Sequence, residues 1–143
     1  MTSNTPIRPQ LAVSASIFRD GKVLLVQRAH PPAQGAWSVP GGRVEFGEAL
    51  HVALAREVME ETGLELGPLR FLRILNMKDY APRHYLDIAF AAEWRRGEPE
   101  VREPDKVERW DWYSLDALPS PLFAMMPSAI EALLTGRRWW DAT

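Results

Sequence analysis

The stretch GGRVEFGEALHVALAREVMEETGL, residues 41–64, carries the pattern that decides the fold. From Gly47 to Thr62 it contains no proline and is rich in Ala, Leu, Glu and Arg, which are good helix formers. Gly63 stands where a left-handed C-cap belongs, so a helix over 47–62 is predicted. Ahead of it the adjacent glycines Gly41 and Gly42 follow Pro40 and imply either close backbone approach or positive φ. With Glu57 as zero, Glu60 falls at about −60° and Glu61 at about +40° around such a helix. Leu50 falls near about +20°, Ala53 near about −40° and Leu54 near about +60°. The three carboxylates therefore continue an apolar stripe toward the C-terminal end of the helix, while Glu48 stands about 180° away.

A run of glutamates is ordinarily a solvated helix surface. Three like charges converging on a semi-buried face, near a helix C-terminus whose dipole also disfavours anions, require a compensating cation. Arg56 can pair with one neighbour and orient it, but one guanidinium does not neutralise the set. Carboxylates suit a hard divalent ion, Mg²⁺ or Mn²⁺, completed by water and phosphate oxygens.

Working outward, Leu11 to Arg19 alternates Leu11, Val13, Ala15 and Ile17 against small or polar neighbours, a strand pattern. Asp20-Gly21 is a two-residue hairpin signal, and Lys22 to Arg28 supplies the paired strand. His30 to Gly35 reads as a loop, and Trp37 to Val39 as a short strand ended by Pro40. Beyond the helix, Leu69 to Met77, His84 to Trp94 and Val107 to Trp112 are β-like, with Glu93 to Glu108 as charged loop material. Leu115 to Leu118 reads as a turn. Leu122 to Leu134 has helical spacing, with Gly136 behind it. Strands on both sides of one central helix, with a second helix last, argue for an α+β or α/β/α sandwich with a mixed β-sheet between helices.

At 143 residues, with 46% hydrophobic and 25% charged residues, one packed domain over 10–143 is expected behind a loose tail at 1–9. A net charge of −2 offers no global basic field for a nucleic-acid polymer, although local cations can still hold a compact anion. There is no cysteine, which excludes disulfides, thiolate metal sites and a cysteine nucleophile. The polar, proline-containing start and the short apolar runs argue against a secretory leader or a membrane span, and the cytoplasm is the expected location.

Gly42, five residues, Glu48, seven residues, then Arg56-Glu57-Val58-Met59-Glu60-Glu61-Thr62-Gly63-Leu64 resembles the complete box of the Nudix hydrolase family. Its seven fixed identities and two apolar positions would arise at a given start on the order of once in a billion. The lead-in Gly35 to Gly42, Gln27-Arg28, and the later run Glu103 to Trp112 are also similar to the family, particularly its nucleotide-triphosphate-cleaving members.

The resemblance implies hydrolysis of a nucleoside diphosphate linked to another moiety, by attack of water on phosphorus. A nucleoside triphosphate cleaved to NMP and pyrophosphate is the leading substrate; ADP-ribose or a dinucleoside polyphosphate is the alternative, with Tyr80 a small vote for the latter. A nucleotide-sensing module without catalysis is a further alternative. By position Glu57, Glu60 and Glu61 become metal ligands with the Gly42 carbonyl, and Arg56 orients the carboxylates, with Glu48 in support. The general base is Glu57, Glu60 or, from the later loop, Glu103, whose other reading is a charged loop residue; Glu108 is a weaker rival. Arg28 and Arg43 contact phosphate or are surface cations, with Gly41 beside them. Phe123 stacks on a base or packs in the core. His84-Tyr85 faces the cleft or is structural, and Trp110, Trp112, Trp139 and Trp140 serve packing or an interface. A homodimer is compatible with the resemblance and with the prevalence of symmetric pairs.

Overall fold

The first two strands of the computed structural model, which describes residues 7–142, form the expected hairpin. β1 (Gln10–Arg19) and β2 (Lys22–Arg28) meet in the register Phe18↔Val23 and Arg19↔Lys22. Asp20 and Gly21 take φ of 51° and 78°, the conformation a two-residue hairpin turn demands. Of the tail expected at 1–9, residues 1–6 lie outside the described part, while 7–9 are exposed and irregular.

β3 (Trp37–Ser38) pairs with β2, and β4 (Gly41–Arg43) pairs antiparallel with β1. The β4 segment carries no strand pattern because its glycines leave only backbone to pair. α1 (Leu50–Thr62) begins later than the composition suggests. Gly47 has φ of 78°, outside the helical region, and the Glu45 N–H donates to Glu48 Oε1 at 3.0 Å in a preceding turn. Gly63, at φ 78°, closes the helix by donating its N–H to the Met59 carbonyl.

Then follow β5 (Glu65–Leu66), β6 (Arg70–Met77), β7 (Tyr85–Arg96), β8 (Val107–Tyr113), α2 (Met126–Thr135) and β9 (Trp139–Trp140). β7 runs through Glu93 to Arg96, which the charge of that stretch had assigned to a loop, because β5 pairs with its end. α2 starts at Met126 rather than at Leu122. The residues before it are drawn to the sheet edge instead: Trp37 N–H donates to Pro121 O and Phe123 N–H to Trp37 O, each at 2.9 Å.

The sheet order is β3-β2-β1-β7-β6-β9, with β4 and β8 added on β1 and β2 and β5 on β7. It is mixed, since β1 runs parallel to β7 and β6 parallel to β9. Alternation along the strands divides the core. Val13, Ala15, Ile17 and Leu24 face one side with Ala53, Leu54 and Val58 of α1. Val23, Leu25, Leu75 and Ala89 face the other with Met126, Ala129 and Ala132 of α2. Helices on both faces of one sheet make the α/β/α sandwich that the order of elements predicts. Trp110 and Trp112 pack on the α1 side and Trp140 is buried on the α2 side, whereas Trp139 is exposed. Among the described residues no helix is long and apolar enough to cross a membrane.

Arg73 of β6 is fully buried in this framework. It donates to Asp87 Oδ2 at 2.7 Å and to the Asp87 carbonyl at 3.0 Å on β7. It also donates to Ser128 Oγ at 2.8 Å on α2 and to the Met125 carbonyl at 3.0 Å just before α2. One guanidinium thus ties two strands to a helix and to the segment that leads into it. Truncating one partner of a buried pair leaves the other charge uncompensated. Arg73→Ala is expected to cost about 3–5 kcal/mol, while Arg109→Ala, at an exposed pair with Glu108, costs under about 1 kcal/mol. Denaturant titration of both variants checks the contrast.

Candidate functional site

α1 and the loops around it enclose a cleft of about 250 Å³. The helix delivers Glu57 and Glu61, the loop before β8 delivers Glu103 and Lys106, and the β4 backbone lines the floor through Gly41 and Gly42. Both glycines answer the close-approach alternative, as neither has positive φ. A Cβ on Gly41 would overlap the Val13 carbonyl, and one on Gly42 would overlap the Glu57 carboxylate. The glycine pair lets β4 lie against β1 and lets Glu57 lie against β4.

Glu61 is 9% exposed, and among the described residues no protein group donates a hydrogen bond to it or forms an ion pair with it. Burial, reinforced by the nearby Glu103 and Glu57, pushes its carboxyl up to about 8, against the opposing pull of Lys106 and Arg28. Glu57 is half-buried and is also pushed upward by burial, a shift opposed by Arg56. Arg56 organises the other carboxylates. It holds Glu48 through Nε to Oε2 at 2.8 Å and Nη2 to Oε1 at 2.9 Å, Glu57 through Nη1 at 2.9 Å, and the Arg43 carbonyl at 3.2 Å. The hydrogen bonds from Arg56, then the Glu45 N–H, bring the Glu48 carboxyl down to about 2.

Glu60 departs from the helical projection. Its side chain is 51% exposed, leans on Arg56 at 3.4 Å, and does not line the cleft. The buried stripe of α1 is Ala53, Leu54, Val58, Glu61 and Thr62. That stripe centres near about +65° on the scale that sets Glu57 to zero, which puts Glu60 about 125° from its middle. Glu57 is itself at the edge of this stripe, so equal angles to either side of it do not point equally inward. As the side chains stand, among the described residues no three acidic or histidine groups are gathered tightly enough to hold an ion. The donor chemistry in the cleft nonetheless fits one: a buried carboxylate with no protein donor, two more carboxylates lining the same space, and a glycine that leaves room for one of them. Glu57, Glu61 and Glu103, with the Gly42 backbone, are the groups able to hold a divalent cation.

Cations and aromatics complete the cleft. Lys106 Nζ lies 3.5 Å from Glu103. Arg28 is partly buried, which lowers its pKa, donates to the Pro32 carbonyl at 2.8 Å, and lies 4.3 Å over the Phe123 ring. Arg43 lines the cleft and reaches Gln10 Oε1 at 3.2 Å. Phe123 is 5% exposed and stacked on Tyr80 at 4.8 Å, so its surroundings match core packing rather than a free platform for a base. Tyr85 lines the cleft, whereas His84 is engaged by Asn76. Glu108 is exposed and outside the cleft. Sequence reasoning missed Lys106, Met77, Asp87 and Met125 as lining groups. For Asp87 a signal existed, an acid in the middle of an otherwise apolar β-like run.

Residues 8–133 match the NUDIX domain. The chain is 34% identical over 118 residues to the ADP-ribose pyrophosphatase of Methanocaldococcus jannaschii, covering 82% of this chain and 69% of that protein. It is 38% identical over 114 residues to the NAD-capped RNA hydrolase NudC of Photorhabdus laumondii, covering 78% of this chain but only 42% of that protein. Among solved structures, the MutT NUDIX hydrolase from Burkholderia pseudomallei superimposes with a TM-score of 0.84 at 36% identity, over 88% of this chain and 98% of that one.

The burial of Glu61 has a measurable consequence. Its folded pKa of about 8 lies above its ordinary 4.5, so between those values the folded chain binds more protons than the unfolded one. This contribution to stability is therefore intact below about 4.5 and is lost as pH rises toward about 8. Without divalent cations, the wild-type Tm is expected to fall more steeply than that of Glu61→Gln between about pH 5 and about pH 8.5. Equal slopes in the two proteins would assign the pH dependence to other groups.

Proposed function

The chain belongs to the Nudix family of hydrolases, which act on phosphorus-containing anhydrides, and from that premise we propose that it cleaves a nucleoside diphosphate linked to a sugar, with ADP-ribose as the preferred substrate. The observation that carries the reading is the meeting in one cleft of Glu57, Glu61 and Glu103 with Arg28, Arg43 and Lys106, beside an apolar wall. Carboxylates alone would repel a diphosphate, and cations alone would bind it without activating water. The ADP-ribose preference rests on the 34% identity to an ADP-ribose pyrophosphatase over most of the chain.

In this reading Glu57, Glu61 and the Gly42 carbonyl would hold Mg²⁺, for which Mn²⁺ would substitute. When bound, the ion supplies the charge that neutralises the diphosphate and acidifies a water. Arg28, Arg43 and Lys106 bind and orient the phosphates, with the guanidinium planes suited to phosphate oxygens. Arg56 positions Glu57 while Glu48 holds Arg56 in turn. Glu103 accepts the proton of the attacking water, one P–O bond forms, and the bridging P–O bond breaks to leave AMP and ribose 5-phosphate. Glu60, on the exposed side of Arg56, acts through that arginine more than on the reacting atoms.

A nucleoside triphosphate presents the same diphosphate to the same groups, and the likeness to a MutT hydrolase favours it as the second reading. Incubation with Mg²⁺ and a panel of ADP-ribose, dinucleoside polyphosphates and nucleoside triphosphates, followed by chromatography of the products, separates them. AMP and ribose 5-phosphate from ADP-ribose are expected at the highest kcat/KM. Pyrophosphate from triphosphates with ADP-ribose left intact would replace the first reading by the second, and tight binding without turnover would remove both. Glu61→Gln should lower kcat by about 10²- to 10⁴-fold through loss of the ion, and Glu60→Gln by distinctly less. Gly42→Ala should leave Tm nearly unchanged, because its Cβ meets the movable end of Glu57, yet reduce turnover.

A further inference from the structure

The mechanism above leaves one buried charged group in the cleft without a task. Asp87, on β7, is 1% exposed and lines the same cleft as the glutamates. Its Oδ2 is saturated by Arg73 Nη1 at 2.7 Å and Ser14 Oγ at 2.8 Å. Its Oδ1 is buried and accepts no hydrogen bond from any of the described residues. A carboxylate oxygen withdrawn from water without a donor is costly, and such atoms in native folds call for an explanation.

Among the described residues none donates to it. The Arg73 nitrogens already donate to Ser128, Met125 and Asp87 itself, and the Ser14 hydroxyl is committed to Oδ2. Ser38, on the same cleft, directs its hydroxyl to Val39 O and Met125 Sδ. Asp87 lines the cleft, and that is the side from which a ligand's donor can approach it. The lining of that cleft includes the apolar and aromatic side chains of Val39, Met77, Tyr85 and Met125. Thioether and aromatic walls suit a flat ring with one polar edge. A ribose, with hydroxyls on several sides, would leave most of them unpaired there.

We propose that Asp87 selects the base of the substrate: its free oxygen accepts a hydrogen bond from an N–H group on the edge of a nucleobase seated against this apolar wall. The proposal rests on the reading that the cleft takes a nucleotide, and it adds a specificity residue on β7 outside the glutamate helix. The hydrogen bonds from Arg73 and Ser14 fix the carboxylate and leave Oδ1 as its open acceptor. A site built around such a buried acceptor discriminates strongly against a ligand that lacks the partner group.

Isothermal titration in the presence of Mg²⁺ tests this with ligands that contain no anhydride to cleave: AMP, purine riboside 5′-monophosphate, which lacks only the exocyclic amine, and ribose 5-phosphate. Wild-type protein is expected to bind AMP about 10- to 100-fold more tightly than the amine-free nucleotide. Asp87→Asn, checked for folding by circular dichroism, should bring that ratio close to one. If Asp87→Asn fails to fold, the wild-type comparison of the two nucleotides decides alone. Equal affinities for them, or no binding of AMP, would overturn the proposal and leave Oδ1 to an ordered water only. A loss confined to ribose 5-phosphate in Asp87→Asn would overturn it in favour of a sugar hydroxyl. The two readings fail separately. Amine discrimination without hydrolysis of ADP-ribose removes the proposed activity alone, and hydrolysis with no discrimination removes the role of Asp87 alone.

Discussion

The buried pair of Arg73 and Asp87 is the constraint around which the functional half of this molecule is arranged. A guanidinium taken wholly out of water is tolerable only when its charge is paired and its donors meet well-placed acceptors. Here the acceptors come from β7, from Ser128 on α2, and from the Met125 carbonyl ahead of that helix. Meeting that requirement brings α2 and the segment before it against the sheet, with Phe123 and Met125 on the cleft wall. Packing energy alone would have tolerated several placements of an apolar helix, because hydrophobic contact is not directional. Four directed hydrogen bonds from one planar group narrow that freedom.

Charge compensation on α1 follows a second logic. Arg56 gathers Glu48, Glu57 and Glu60, and Glu61 is left buried with no protein donor among the described residues. The helix therefore carries Glu48 and Glu60 on the Arg56 side, Glu57 shared between Arg56 and the cleft, and Glu61 in the cleft alone. Gly42 is part of the same arrangement, since the missing side chain is the space in which the Glu57 carboxylate lies. The spacing between that glycine and the acids in the sequence reflects a contact between a strand and a helix.

Much of this was legible in the sequence where the physics is local. The Asp20-Gly21 turn, the Gly63 cap and the alternation along β1 depend on backbone conformations of a few residues, and they appear where expected. The start of α1 differs because Gly47 takes a positive φ, and the full length of β7 and the start of α2 differ because distant partners decide them, through pairing by β5 and capture of residues 121–123 by Trp37. The inward set of glutamates was read too widely, since a helical projection gives angles between residues but not the direction of the core.

The sequence by itself determined the sandwich of helices about a mixed sheet, the glutamate helix and its family, since these rest on periodicity, turn chemistry and a local motif. Only the tertiary structure decided which acids face the cleft, that Phe123 is covered by Tyr80 and Arg28, and that Asp87 keeps one oxygen free. The reason is physical. Burial and hydrogen-bond satisfaction are properties of residues far apart in the chain, such as Ser14, Arg73, Asp87 and Ser128, and they exist only once those residues share one interior.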